Sequence, residues 1–345
     1  MTGIASAALM TAMVQELCRV TDFASAARIN AMVQGLRDNP VINYAIAVFI
    51  IVALIYLAVL QFWVLLRTRK HLKEMQSAYS EIEIQRSELQ LRNKDLTDSL
   101  NYARRIQAAL LPAEHHIRRI FPDYFIYYRP KHIVSGDFYW FDKLDDDRFI
   151  LVCADSTGHG VPGAFMSMIG STLLQDIVSR QRISKPSEIL TMLDKQIFSI
   201  LNQNLELGVS NDGMDIVVCE FTMKNRHVRF ASAMRPVILV MGGEEYYIKG
   251  NRSSVGGQSV MEKYFDDQEY FLNEGDTIYL FSDGLPDQFG GTDGKKMKVA
   301  RLKTWITESY SLPLEKQHRN LVSNYNDWKG NFEQVDDILM MGVRV

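Results

Sequence analysis

Read for its apolar and polar positions, the chain changes pattern several times. Residues 41–66 form an apolar run that only Asn43 and Gln61 interrupt. At about 1.5 Å per residue, a helix of this length crosses a hydrocarbon core of about 30 Å, so the run predicts a transmembrane helix. A buried helix of a soluble domain is rarely so long and so free of charge. Tyr44, Tyr56, Phe62 and Trp63 include candidates for an interfacial aromatic belt. Arg67, Arg69, Lys70 and Lys73 follow at once, against only Arg37 close on the other side. That asymmetry puts the carboxyl-terminal bulk on the cytoplasmic side of the cell's inner membrane, held by a single pass. The apolar part of residues 1–40, residues 4–14, is too short to span a bilayer, and 1–40 reads as an extramembrane or interfacial segment.

From residue 72 to 110 the period becomes seven. Met75, Ile82, Leu89, Leu96, Ala103 and Leu110 occupy one heptad position, and Leu72, Tyr79, Arg86, Asn93, Leu100 and Gln107 the other. The first set is wholly apolar and half of the second is not. Such a seam predicts a parallel two-stranded coiled coil across the linker 67–111, with Arg86 and Asn93 fixing its register, and hence a homodimer. For residues 102–111 a helix packed on the following domain fits equally well. Pro112 ends the run.

Residues 112–345 have a mixed pattern. Strand-like runs cover 124–128, 149–154, 215–221, 227–231, 237–241, 245–248, 277–281 and 338–343, and short turns such as Lys224-Asn225 and Gly242-Gly243 favour antiparallel hairpins. Residues 149–154 carry neither charge nor alternation, the pattern of a strand buried on both faces. Helices are expected at 163–180, at 187–204 and across 299–328 with a break near Pro313. Helices inserted among hairpin strands give an α+β domain, sheets with helices on their outer faces.

Composition narrows the chemistry. The 345 residues carry a net charge of −3 and no basic domain, which removes nucleic acid as a partner. Cys18, Cys153 and Cys219 are scattered, without the spacing of a disulfide framework or a zinc site. The acidic residues are placed more tellingly. Asp137 lies in a glycine turn, Asp155 closes the run 149–154 before Gly158, Gly160 and Gly163, Asp283 ends the run 277–282, and Asp336 and Asp337 precede the last strand. Each alone could be a turn or helix-cap residue. Carried to one edge, they would repel one another unless cations sat between them. Oxygen donors without His or Cys select Mg2+ or Mn2+. Two such ions bridged by one Asp would acidify a water and orient a phosphate, the equipment of a phosphate ester hydrolase.

The segments SGDFYW, ADSTGHGVPGAFMS, GMDIVVCEF, FSDGLPDQFGG and VDDILMMGVRV, in this order, resemble the motif series of the metal-dependent (PPM-type) protein serine/threonine phosphatases, in their bacterial SpoIIE-like branch. The resemblance also takes in the lead-in SLNYARRIQAALLP. It implies two packed antiparallel β-sheets flanked by helices, and hydrolysis of phosphoserine or phosphothreonine by metal-activated water with no phosphoenzyme. By position, Asp155 resembles the carboxylate bridging two cations, Mn2+ or Mg2+, with the Ser156 backbone carbonyl a further ligand. Asp283 and Asp336 match ligands of the second metal. Asp137 matches the acidic residue acting on the first, directly or through water, and Asp337 is a neighbour. The implied substrate is a small phosphoprotein, typically a STAS-type anti-sigma-factor antagonist. His159 invites the role of general acid, but it lies four residues after Asp155, where related eukaryotic enzymes place a histidine two after, and a loop role is favoured over that one. Asp215 lies in the matching motif GMDIVVCEF and fits either a site role or a structural one. Arg129 and Lys131 fit either phosphate contact or simple solvation. The alternative to an enzyme is a membrane scaffold that uses a phosphatase-like domain to hold partners.

Overall fold

The computed structural model describes residues 23–37, 39–203, 211–257 and 262–345. The reading of residues 4–14 therefore lies outside the described residues, as does the expected end of a helix at Asn204. Two compact units divide the chain, Met1–Arg92 and Asn93–Val345.

In the first unit are helix α1 (Phe23–Arg37) and most of helix α2 (Pro40–Leu110). Pro40 suits the first helical position because it has no N–H to leave unpaired. The Asn39 side chain just before it accepts a hydrogen bond from the Val41 N–H at 3.0 Å. Between Val41 and Leu66 the large apolar side chains are almost all exposed, and so are Leu72, Met75, Ile82 and Leu89 of the heptad pattern. Near the end of the apolar run the Arg67 guanidinium lies 5.3 Å over the Trp63 ring.

The second unit, after the short helix α3 (Glu114–Ile120), is built on two antiparallel sheets, with a small hairpin of β11 (Phe289–Gly290) and β12 (Lys295–Lys296) in addition. One has the order β1-β13-β10-β6-β7, from strands Tyr124–Arg129, Ile338–Arg344, Thr277–Phe281, Val237–Met241 and Glu244–Ile248. The other has the order β2-β3-β4-β5-β9, from Phe138–Lys143, Arg148–Ser156, Gly213–Thr222, His227–Ala233 and Gln268–Phe271, with β8 (Val255–Gly256) paired to β4. Gly242 and Gly243, both with positive φ (58° and 88°), close the β6–β7 hairpin as a type I′ turn requires.

Strand β3 explains the layering. Leu151 and Cys153 face inward, where they meet Leu239, Leu280 and Met341 of the first sheet. The alternate residues Ile150, Val152 and Ala154 face outward onto helices α4 (Val161–Leu174) and α5 (Pro186–Ile200). On the far side, Ile238, Tyr279 and Met340 of the first sheet pack against two later helices, Lys298–Ser309 and Leu314–Lys329, which Pro313 separates. The result is helix, sheet, sheet, helix, the α+β architecture expected. The uncharged run at 149–154 follows from it, since both faces of β3 are covered. Five strands lack a counterpart in the sequence reading, β2, β9 and the two-residue β8, β11 and β12, and helix α4 continues as a π-helical turn, Gln175–Arg180.

The end of α2 lies in this unit. Gln107, on the heptad seam by its spacing, is instead buried here, 5% exposed. Its amide nitrogen donates to the Ser135 carbonyl at 2.6 Å and to the Ser167 hydroxyl at 2.7 Å, and its oxygen accepts from the Ser135 N–H at 3.2 Å. At this position the packed-helix reading holds and the coiled-coil reading does not.

Candidate active site

Register brings the acidic residues together. Within the second sheet Asp155 is paired directly with Asp215, and Phe138 with Ala154, so Asp137 stands beside the same end of β3. In the first sheet Phe281 pairs with Met340, which sets Asp283, just past β10, next to Asp336 and Asp337, just before β13. Ser282 fastens the two strand ends: its N–H donates to the Leu339 carbonyl at 2.9 Å and its hydroxyl accepts from the Leu339 N–H at 3.0 Å. Across the gap between sheets, the Asp283 N–H points at Asp155 Oδ2, 3.5 Å away.

Two close approaches need glycine. A Cβ on Gly163 would lie 2.1 Å from the Gly158 carbonyl oxygen, and one on Gly136 would lie 2.6 Å from the same atom and 3.1 Å from the Ser156 carbonyl. The Asp137 loop, the turn after Asp155 and the start of α4 thus pack backbone to backbone. At Gly284 a Cβ would meet the Asp337 carbonyl at 1.9 Å, so the Asp283 turn can lie against the start of β13 only without a side chain there.

The helix-cap alternative fails for both central carboxylates. The N-cap of α4 is Gly160, not Asp155. Asp283 precedes a short helix, α6 (Gly284–Asp287), but its side chain makes no capping hydrogen bond. Asp337 is different: its two oxygens accept from the Lys131 and Gly136 N–H groups, both at 2.7 Å. It pins the loop that carries Asp137 and is a structural carboxylate. Asp336 caps the N–H of Asp337 with one oxygen, at 2.9 Å. The Tyr128 hydroxyl donates to the Asp137 carbonyl at 3.2 Å.

Crowding shows in the acidities. Burial, then the charge of Asp155, holds the Asp137 carboxyl well above the usual carboxylate range. Burial and the charge of Asp283 push Asp155 up to about 7, with Arg235 opposing them. Asp283 is raised too, by burial and by Asp336, against the pull of Arg235.

Arg235 is the residue that sequence reasoning missed. Its Nη2 donates to Asp215 Oδ2 at 2.7 Å, while Nη1 lies 3.3 Å from Asp155 Oδ2 and 3.2 Å from Asp283 Oδ2. Two like charges opposite each other in a sheet, Asp155 and Asp215, need such a cation. The only local signal was an isolated arginine before Pro236 between two apolar strands.

Other candidates fall outside the cluster. Arg129 hydrogen-bonds Asn326 at 3.2 Å and lies over the Tyr325 ring, so it is committed to the helix Leu314–Lys329. His159 is exposed, its ring 4.9 Å from that of His132, in keeping with a loop position.

Among the described residues no three Asp, Glu, His or Cys side chains already stand in metal-holding geometry. The donors nevertheless suit a hard divalent cation. All the side-chain donors are carboxylates, the Asp137 Oδ2 atom is buried without a hydrogen-bond partner, and the raised carboxyl pKa values mark a site short of positive charge.

Two antiparallel sheets between helices, with carboxylates from both sheets meeting at one end, define a domain of the PP2C type. The sequence profile described as Stage II sporulation protein E (SpoIIE) matches residues 145–345, and the chain belongs to this family. Over 203 residues it is 23% identical to the phosphoserine phosphatase RsbP of Bacillus subtilis (strain 168), a match covering 56% of this chain and 49% of RsbP. The chain thus spans about half the length of that relative. The SiaA-PP2C domain of Pseudomonas aeruginosa superposes with a TM-score of 0.66 at 28% identity, covering 73% of this chain and 98% of that domain. The RsbU and RsbW domains of Rv1364c from Mycobacterium tuberculosis share the fold, with a TM-score of 0.50 at 19% identity over 65% of this chain and 60% of theirs.

Proposed function

We propose that the chain is a membrane-anchored protein serine/threonine phosphatase whose active site faces the cytoplasm. The observation that carries this reading is the meeting of Asp155 with Asp283 across two sheets, Asp137 and Asp336 beside them, in a SpoIIE-family domain. Asp155, Asp283 and Asp336 would hold one cation, Mn2+ or Mg2+, and Asp155, the Ser156 carbonyl and Asp137 a second. Bound there, the cations supply an acidified water and positive charge for the phosphate. The chain's part is to keep the donors fixed on strand ends, exclude bulk water from Asp137, and leave the exposed residues 157–159 open to a phosphorylated side chain.

The substrate we infer is a phosphorylated signalling protein of the partner-switching kind, a STAS-type antagonist, in keeping with the likeness to the phosphoserine phosphatase RsbP. Helix α2 is long and apolar enough to cross a membrane, which supports the anchor. The exposed seam at Leu72, Met75, Ile82 and Leu89 supports pairing of two copies through a coiled coil. Gln107 then gives the helix a grip on the site, because it holds the Ser135 backbone two residues before Asp137. Coiled-coil pairing would set the position of this helix, and with it Asp137.

Phosphate release from a phosphoserine STAS protein, by the full chain in detergent with Mn2+, tests the reading. Turnover lost in Asp155→Ala is expected. Binding of the phosphoprotein with no turnover in any divalent metal would instead indicate a scaffold.

A further inference from the structure

We propose that Arg235 is a built-in counter-cation of the acidic cluster, one that competes with divalent cations for Asp155 and Asp283 while remaining moored to Asp215. The inference rests on the metal-dependent reading above and goes beyond it, since it gives this arginine control over metal affinity.

Two unequal grips carry the argument. Arg235 leaves the turn between β5 and β6, where Met234 has a φ of 66° and the Ser232 hydroxyl donates to the Arg235 carbonyl. At one end Nη2 meets Asp215 Oδ2 at 2.7 Å, and the other Asp215 oxygen accepts from the Ser254 hydroxyl at 2.5 Å. Both Asp215 oxygens are thereby engaged, and Asp215 is a mooring rather than a metal ligand. At the other end Nη1 is shared between Asp155 and Asp283 at 3.3 and 3.2 Å. These distances exceed the roughly 2.7–2.9 Å of a well-made charge-assisted bond. Nε is buried and has no acceptor. An arginine serving only as scaffold would use its donors more fully.

A single positive charge between two carboxylates relieves their repulsion, and a divalent cation does so better. It carries twice the charge and approaches an oxygen to about 2.0–2.2 Å, where a guanidinium nitrogen stops near 2.8 Å. Guanidinium and metal repel each other, so Nη1 must give up Asp155 and Asp283 when the metal enters. Removing the arginine should therefore tighten metal binding. A purely structural arginine predicts the reverse, because a loosened site binds metal more weakly.

The test is a Mn2+ titration of the full chain in detergent at pH 8, reading free Mn2+ by electron paramagnetic resonance, together with thermal unfolding in EDTA and in saturating Mn2+. Arg235→Gln should bind Mn2+ about tenfold more tightly than wild type, a modest share of the Coulomb energy at stake. Its unfolding midpoint should fall in EDTA and recover in Mn2+. Folding of this variant only in the presence of Mn2+ also supports the proposal. A folded Arg235→Gln that binds Mn2+ as wild type does, or more weakly, overturns it. If that variant folds under neither condition, Arg235→Lys decides: it reaches Asp215 but cannot bridge all three carboxylates, so tighter binding supports the proposal and equal or weaker binding overturns it. Asp155→Asn separates the two layers of the argument. Wild-type binding that Asp155→Asn abolishes, with no tightening in the Arg235 variants, sinks the counter-cation alone; no wild-type binding at all sinks the metal reading and the counter-cation with it.

Discussion

Strand β10 carries an aspartate at each end, and the two live in different surroundings. Asp276, just before Thr277, is buried, and its oxygens accept from the Gly242 N–H at 2.8 Å and the Asn273 N–H at 2.7 Å. The chain itself satisfies that carboxylate. Asp283, at the other end, has Arg235 Nη1 at 3.2 Å and the charge of Asp336 nearby. A carboxylate answered by backbone N–H groups is a lock, and one left to a side-chain cation that it shares with other carboxylates is a site. The same contrast separates Asp337, fully engaged by Lys131 and Gly136, from Asp137, whose Oδ2 has no partner.

Mutations at the two ends of β10 should break differently. Asp283→Asn should lower phosphate release by about a thousandfold, the equivalent of several kcal/mol of transition-state stabilisation, while urea unfolding changes little. Asp276→Ala should do the opposite: a loss of about 1–3 kcal/mol for each stranded backbone donor, with turnover per folded molecule preserved. If both variants lose only stability, or both only activity, the contrast is wrong.

Gln107→Ala sharpens the same comparison at the Asp137 loop. It strands the Ser135 N–H and carbonyl, so turnover should fall by about tenfold through misplaced geometry, a smaller loss than removal of a ligand. Mn2+ affinity should weaken with it, and Gln107→Glu, which keeps an acceptor for the N–H, should recover part of both. Leu89→Pro in the exposed seam should alter turnover without touching the site, as judged by the same assays at protein concentrations where wild type is paired; unchanged turnover removes the link between the coiled coil and Asp137.

The smallest effect is in pH dependence. Asp155 is raised from 3.8 to about 7 in the folded chain, so the folded state holds its proton more tightly than the unfolded state between those values. Its contribution to stability in EDTA is then present below 3.8 and is lost as pH rises towards about 7. Thermal scans in EDTA should show this fall, shallower in Asp155→Asn. Mn2+ binding, which needs the ionised carboxylates, should strengthen over the same interval and release protons as it does so. A rise in stability in EDTA that depends on Asp155 would reverse the sign and refute the assignment.

How far the sequence could be read depended on the range of the interaction. Strands whose signal is local were legible: 237–241 and 277–281 are apolar and short-turned, and both strand ends carrying Asp155 and Asp283 could be placed. The gathering of those aspartates depends on distant strand pairing, Asp155 with Asp215 and Phe281 with Met340, and on packing of one sheet on the other that brings Asp283 to Asp155, for which only the motif series offered a guide. Strand β2, Phe138–Lys143, reads FYWFDK and alternates too little to declare itself, although its neighbour Asp137 stood out. Gln107 was ambiguous because a seven-residue spacing marks a face of a helix without saying what covers it. Arg235 left no pattern at all: one arginine in an apolar stretch acquires meaning only when folding delivers three aspartates to it.

Crystals of the full chain grown with Mn2+, with anomalous scattering recorded at the manganese edge, test the central claim most directly. The account predicts two peaks about 3.5–4 Å apart with Asp155 between them, one also touching Asp283 and Asp336, and Arg235 withdrawn to Asp215. Arg235 still lying between Asp155 and Asp283, with no manganese peak at either carboxylate, would contradict it.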